Sequence, residues 1–274
     1  MISTTSYSLS ISELLSAKLK FDGKLLIFFD TETTGLEPNN SYEQLTQIAA
    51  AVVDGSTWNV VERINEYVSL TDATIRVLND PTSPEASAYQ DDTSRWMRKY
   101  KKPYMHPREV MQLTRYDATR ARTDEKSALI RFEELLAKYP TAILVAHSAV
   151  FDMKVVAARR RANGLPRLNR RSVVDTLKIA RFFLVPVLQV MESSDWAGEM
   201  LTALRAKTKY KSYSVTLQKL AAAYKVQIDD WHDAEADVQI LVEIANKMIA
   251  TLVANVDLDI SKFQKIQGKR YRKF

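Results

Sequence analysis

Cysteine is absent from the 274 residues. Its absence excludes disulfides and thiolate-bound zinc and is consistent with a cytoplasmic protein. No stretch approaches the ~18 consecutive apolar residues of a membrane span, so no membrane partner is expected. The opening residues, Met1 to Tyr7, lack both a charged leader and a long apolar segment, so no secretory signal is expected. Internal repeats and low-complexity tracts are missing as well. What remains is 46% hydrophobic content, enough for one large domain with a core of its own.

Acid is missing from two places. Residues 261–274 hold Lys262, Lys265, Lys269, Arg270, Arg272 and Lys273 and no Asp or Glu, so this tail carries the whole formal charge of +6. Phe263, Tyr271 and Phe274 interleave it. Such a tail can hold phosphates and stack bases, or simply solubilise the chain end. From Arg159 to Arg181, eight basic residues (Arg159, Arg160, Arg161, Arg167, Arg170, Arg171, Lys178 and Arg181) face Asp175 as the one acid. They can guide a nucleic-acid strand or decorate a solvated face. A third basic stretch, Arg205–Lys211 with Tyr210 and Tyr213, reads as a loop that closes on substrate.

Three short stretches carry the chemistry. Residues 24–30, Lys-Leu-Leu-Ile-Phe-Phe-Asp, read as a buried strand broken by Thr33, Thr34 and Gly35. Alternation along a strand puts Asp30 and Glu32 on one face. Two neighbouring carboxylates repel, and a hard cation such as magnesium or manganese between them relieves this. Residues 141–147 read as a second buried strand, followed by a helix over 149–163 whose first turn contains Asp152. The third stretch, Trp231-His232-Asp233, precedes an amphipathic helix from Ala234 to about Val253, with Asp233 as N-cap and Asp237 one turn inside. Taken singly, each stretch is also an ordinary strand end or helix cap.

Together they resemble the DEDDh, or DnaQ-like, family of 3′–5′ exonucleases. Residues 30–36 match its Asp-x-Glu-Thr-Thr-Gly-Leu motif. Residues 147–152, His-Ser-Ala-Val-Phe-Asp, match the second motif except that Ser148 stands where Asn is usual. Residues 232–237 match the third, His-x-Ala-x-x-Asp. The resemblance spans about 22–252 and includes the strand-to-helix step Val174–Arg181. It implies an α/β, RNase H-like fold: a mixed central sheet with three leading strands, then alternating helices and strands. Strand patterns near 24–30, 45–54 and 58–69 agree. They are followed by helix, strand, helix, strand and helix at about 124–138, 141–147, 149–163, 171–174 and 175–185. The expected organisation is an N-terminal extension (1–21), the exonuclease domain (22–252) with 71–123 as an insertion, and the basic tail (253–274).

The resemblance further implies two magnesium ions, replaceable by manganese, held by Asp30, Glu32, Asp152 and Asp237. It implies His232 as general base, and substrate contacts from Thr33, Thr34, Gly35, Leu36, His147 and Ser148. The expected activity is removal of nucleoside 5′-monophosphates from the 3′ end of single-stranded DNA. An exoribonuclease acting on RNA 3′ ends and a non-catalytic nucleic-acid-binding module are the alternatives. No polymerase domain accompanies these motifs, so a replication or repair role would need a separate partner chain.

Overall fold

The computed structural model describes residues 21–35, 43–80, 82–91, 117–169, 171–206, 212–227 and 232–255. Leu36, residues 92–116 of the expected insertion, 207–211 of the third basic stretch and the tail from 256 onward lie outside the described residues. A five-stranded sheet in the order β3-β2-β1-β4-β5 forms the centre. Strand β1 (Leu25–Thr33) runs antiparallel to β2 (Leu45–Asp54), which runs antiparallel to β3 (Val60–Tyr67). On its other side β1 runs parallel to β4 (Ile143–Ala146), and β4 runs parallel to β5 (Val173–Asp175). This is the mixed sheet and RNase H-like α/β architecture that the motif order implied.

Helices cover both faces, which is why β1 and β2 are apolar almost throughout rather than alternating. On one face, Ile27 and Phe29 of β1 pack with α2 (Glu125–Lys138) and α3 (Ala149–Ala162), through Leu129, Phe132, Val155 and Val156. On the other, Leu26 and Phe28 pack with α8 (Ala234–Val253), through Ala234, Val238, Leu241 and Ala245. Helix α8 has a second apolar stripe, Ile240, Ile244, Met248 and Leu252 at four-residue spacing. That stripe joins the remaining helices in a separate core. These are α4 (Thr176–Ile179), α5 (Val185–Val190), α6 (Asp195–Leu204) and α7 (Leu217–Tyr224).

The chain differs from the sequence expectation in five places. Strand β1 runs past Asp30 to Thr33, because a register break after Glu32 lets Thr33 pair with Leu45. The helix expected to end near 185 continues to Val190 through a π turn at Ala180–Leu184, after which Pro186 occupies the start of α5, where its missing N–H costs little. Helix α6, capped by Ser194, was hidden by Gly198 inside it. The expected insertion contains α1 (Asp72–Asn79), capped by Thr71, and a further helical stretch at 84–91. Phe21, assigned by sequence to the extension, is buried in the core with Trp58. Among the described residues, no helix is long and apolar enough to cross a membrane.

The basic stretch after Asp152 is partly structural. Arg159 forms a bidentate pair with Glu125 at 2.8 and 2.9 Å, both side chains almost wholly buried. Glu125 also accepts from the Leu45 N–H and from Asn163. Arg160 binds Glu133 and the Pro166 carbonyl, and Arg171 binds the carbonyls of Leu136, Tyr139 and Pro140. These three arginines are committed to fixing α3 and β5 against α2. Replacing Arg159 by Leu leaves Glu125 charged and buried without its partner. Chemical denaturation of Arg159→Leu should show a loss of about 3–5 kcal/mol.

Candidate active site

The end of β1 gathers groups from both faces of the sheet. Asp30 and Glu32 point to the side of Phe28 and α8, as strand alternation requires. Thr31 points to the side of α3, where its hydroxyl donates to Asp152 Oδ1 at 2.8 Å and its N–H donates to the same oxygen at 3.2 Å. Asp152 lies in the first turn of α3, which starts directly after β4. Asp237 lies in the first turn of α8, and its carboxyl accepts from the His232 N–H. One ligand atom each from Glu32, His232 and Asp237 lies within 4.8 Å of the others. Asp30 is outside that trio but close enough to feel the charges of Asp152, Glu32 and Asp237.

These acids resist ionisation. Burial is the largest cause for all of them. The Asp30 carboxyl is raised well above the usual range by burial, then by Asp152, Glu32 and Asp237. Glu32 is raised by burial, Asp237, Asp152 and Asp233. Burial pushes Asp152 up to about 7, against the hydrogen bonds from Thr31. Asp237 is also pushed up to about 7, by burial and by Asp233. Its Oδ1 is buried with no hydrogen-bond partner. Crowded oxygen donors, one of them orphaned, fit a hard divalent cation. Glu32, His232 and Asp237 are the residues whose ligand atoms lie close enough together to hold one.

The other predicted residues divide by role. Thr33 and Thr34 are buried, and their hydroxyls serve the chain itself. Thr33 donates to the Gly35 carbonyl, and Thr34 accepts from the Gln44 N–H. A Cβ on Gly35 would meet the ends of the Glu43 and Tyr89 side chains, so these would have to move to admit a side chain there. His147 sits against Thr176 at 3.0 Å. The Thr176 hydroxyl also donates to the Ala146 carbonyl. Burial lowers the pKa of His147 to about 4, so it stays neutral. Ser148 adopts a left-handed conformation, φ 71°, at the N-cap of α3, and its N–H donates to Asp175. Asn tolerates that region better than Ser. Leu36 lies outside the described residues.

Sequence reasoning missed Thr31, which occupies the variable position between the two acids. It also missed a polar clasp over the start of α8. Asp233 caps that helix by accepting from the N–H groups of Glu235 and Ala236. The Tyr67 hydroxyl donates to Asp233, and Arg120 pairs with the same carboxylate at 3.3 Å while lying 4.2 Å over the Tyr67 ring. Gln47 accepts from the Ala234 N–H and donates to Asn65, which donates to Glu235. Tyr67, Arg120, Gln47 and Asn65 belong to no motif, and only folding brings them to α8.

A family model described as Exonuclease (RNase_T) matches residues 27–77. No curated protein matches the sequence. The fold matches that of Escherichia coli exonuclease I solved with a dA16 oligonucleotide, at TM-score 0.52 and 20% identity, over 88% of this chain and 42% of that one. It matches a structure of apo exonuclease I equally, at TM-score 0.52 and 20% identity, over 88% and 44%. The chain thus spans less than half the length of the exonuclease I structures it matches. The matched family model, over residues 27–77, and the fold shared with exonuclease I agree with the three ordered motifs.

Proposed function

We propose that this protein is a metal-dependent 3′–5′ exonuclease that removes nucleoside 5′-monophosphates from single-stranded DNA. The observation that carries the reading is the convergence of Asp30, Glu32, Asp152 and Asp237 with His232 at the end of β1. A binding module without catalysis has no evident need for four mutually repelling acids. The preference for DNA is supported by the fold shared with exonuclease I, whose solved complex holds dA16. A cytoplasmic setting and a separate replication or repair partner belong to the same proposal.

Asp30, Glu32 and Asp237 would hold one magnesium ion, and Asp30 with Asp152 a second. When bound, two such ions supply positive charge to the phosphate oxygens and ease deprotonation of water. His232 takes the proton of the attacking water. An ordinary histidine, with a pKa near 6.5, is mostly neutral at pH 7 and can accept one. Asp237 orients His232 by accepting from its N–H. Thr31 holds the Asp152 carboxyl toward the strand end. His147, kept neutral by burial, braces the β4–α3 junction.

Three outcomes follow. Asp30→Ala and Asp237→Ala should each abolish release of mononucleotides from a 3′-labelled oligonucleotide, with circular dichroism unchanged; normal turnover by either would overturn the proposal. Parallel assays on matched DNA and RNA oligonucleotides test the substrate. His232→Ala should lower single-turnover cleavage by about 10²–10⁴-fold, with manganese affinity in calorimetry intact. Loss of manganese binding instead would make His232 a ligand.

The third concerns stability without metal. Asp152 and Asp237 titrate near 7 when folded and near 4 when unfolded. Between those values the folded state binds more protons, so metal-free stability falls as pH rises through that window. Calorimetric scans at pH 5 and pH 8 should show the higher Tm at pH 5. Burial and its neighbours also raise the Asp30 carboxyl, so Asp30→Asn should make the metal-free Tm fall less between pH 5 and pH 8.

A further inference from the structure

His232 occupies an unusual piece of backbone. Its φ is 63°, in the left-handed region, for a residue that is neither Gly nor Asn. That conformation is strained and persists only where the surroundings over-determine it. The surroundings here are the clasp on the next residue. Asp233 is half of the turn that bends the chain into α8, and three independent pieces of structure restrain it. Its Oδ1 caps the helix by accepting from Glu235 and Ala236. Its Oδ2 takes the Tyr67 hydroxyl from β3 and the Arg120 guanidinium from the segment before α2. The Arg120 group lies over the Tyr67 ring, so each partner also fixes the other. Gln47 from β2 holds the following Ala234 N–H at 3.0 Å. Asp237, one turn further on, binds the His232 N–H.

We infer that Tyr67 and Arg120 are positioning residues for the proton-transfer step assigned above to His232, acting through Asp233 on its backbone. The inference rests on that reading of His232. Tyr67 and Arg120 need touch neither substrate nor metal. Their work is to hold Asp233, and so to keep His232 in its strained turn with the ring presented to the acids. In the absence of the Tyr67 hydroxyl, Asp233 keeps its helix-capping role but loses one of its two anchors on Oδ2. The turn can then relax toward ordinary φ values, and the imidazole moves with it. Misplacement of a reacting group by about 1 Å is enough to cost up to 10²-fold in rate.

The test is a double-substitution cycle read in kcat and KM separately. Tyr67→Phe keeps the ring and removes only the hydroxyl. It should lower kcat about tenfold and leave KM for an oligonucleotide within about twofold, because the defect falls on orientation rather than on strand binding. In a His232→Ala background the same change should alter the residual rate less than about twofold, since nothing is left to orient. Arg120→Gln leaves the Asp233 carboxylate with the Tyr67 hydroxyl and its two helix-capping bonds. It carries the test should Tyr67→Phe melt early, with the same lowered kcat, unchanged KM and silence in the His232→Ala background. A wild-type kcat in both variants would overturn the inference. So would an equal loss with and without His232, which would make the clasp a stabilising contact only. A His232→Ala enzyme with normal turnover would instead overturn the prior reading of His232, an outcome visible in the parent variant before any clasp substitution is added.

Discussion

Carboxylates brought close together in a dehydrated site repel one another, and the neighbourhood of the β1 terminus is organised around that repulsion. The acids come from three elements that would otherwise drift apart: a strand, a helix on one face of the sheet and a helix on the other. Each is anchored by contacts that cost nothing to the charge itself. Asp152 is tied to Thr31, whose side chain emerges on the opposite face from Asp30 and Glu32. Asp237 rides on a helix whose start is nailed to two strands through Gln47 and Asn65. Strand β1 is central in the sheet and buried on both faces, so its end cannot retreat. Large apolar cores therefore hold a small polar site in a state it would not choose alone, and a bound cation is the natural counterweight.

The same logic explains which polar groups lie deep in the molecule. Arg159 and Glu125 lock α3 to α2 and to the first residue of β2. Helix α3 carries Asp152 at one end and this ion pair near the other. The register of the pair along the helix thus bears on how far the Asp152 carboxyl reaches over the sheet. An arginine-rich segment that looked like a track for phosphates is, for Arg159, Arg160 and Arg171, part of the frame.

Much of the fold and the central acids was legible in the sequence, for a physical reason. Buried strands and the acids at their ends are local: a run such as Ile27–Phe29 followed by Asp30 and Glu32 announces itself within ten residues. Helix α8 was legible because its apolar residues recur at helical spacing. What stayed hidden depends on long-range assembly. Thr31 looked like filler between two acids, and its partner is 121 positions away. Tyr67 and Arg120 meet Asp233 across 166 and 113 positions. Gly35 suggested close approach of a ligand, whereas the atoms that crowd it are those of Glu43 and Tyr89. Short helices such as α6 were concealed because Gly198 weakens the local signal that packing against the second core restores.

Helix α8 is a party wall. One stripe closes the sheet's core and the neighbouring stripe closes the helical core, so neither compartment is complete without it. A wall shared in this way has no cheap local opening. Exposing its first turn means breaking into both compartments, at a free energy close to that of unfolding the domain. The amide hydrogens there should be among the slowest in the chain to exchange with solvent. The histidine and aspartate at its head thereby sit on a mounting whose stiffness is set by residues as remote as Met248 and Leu252.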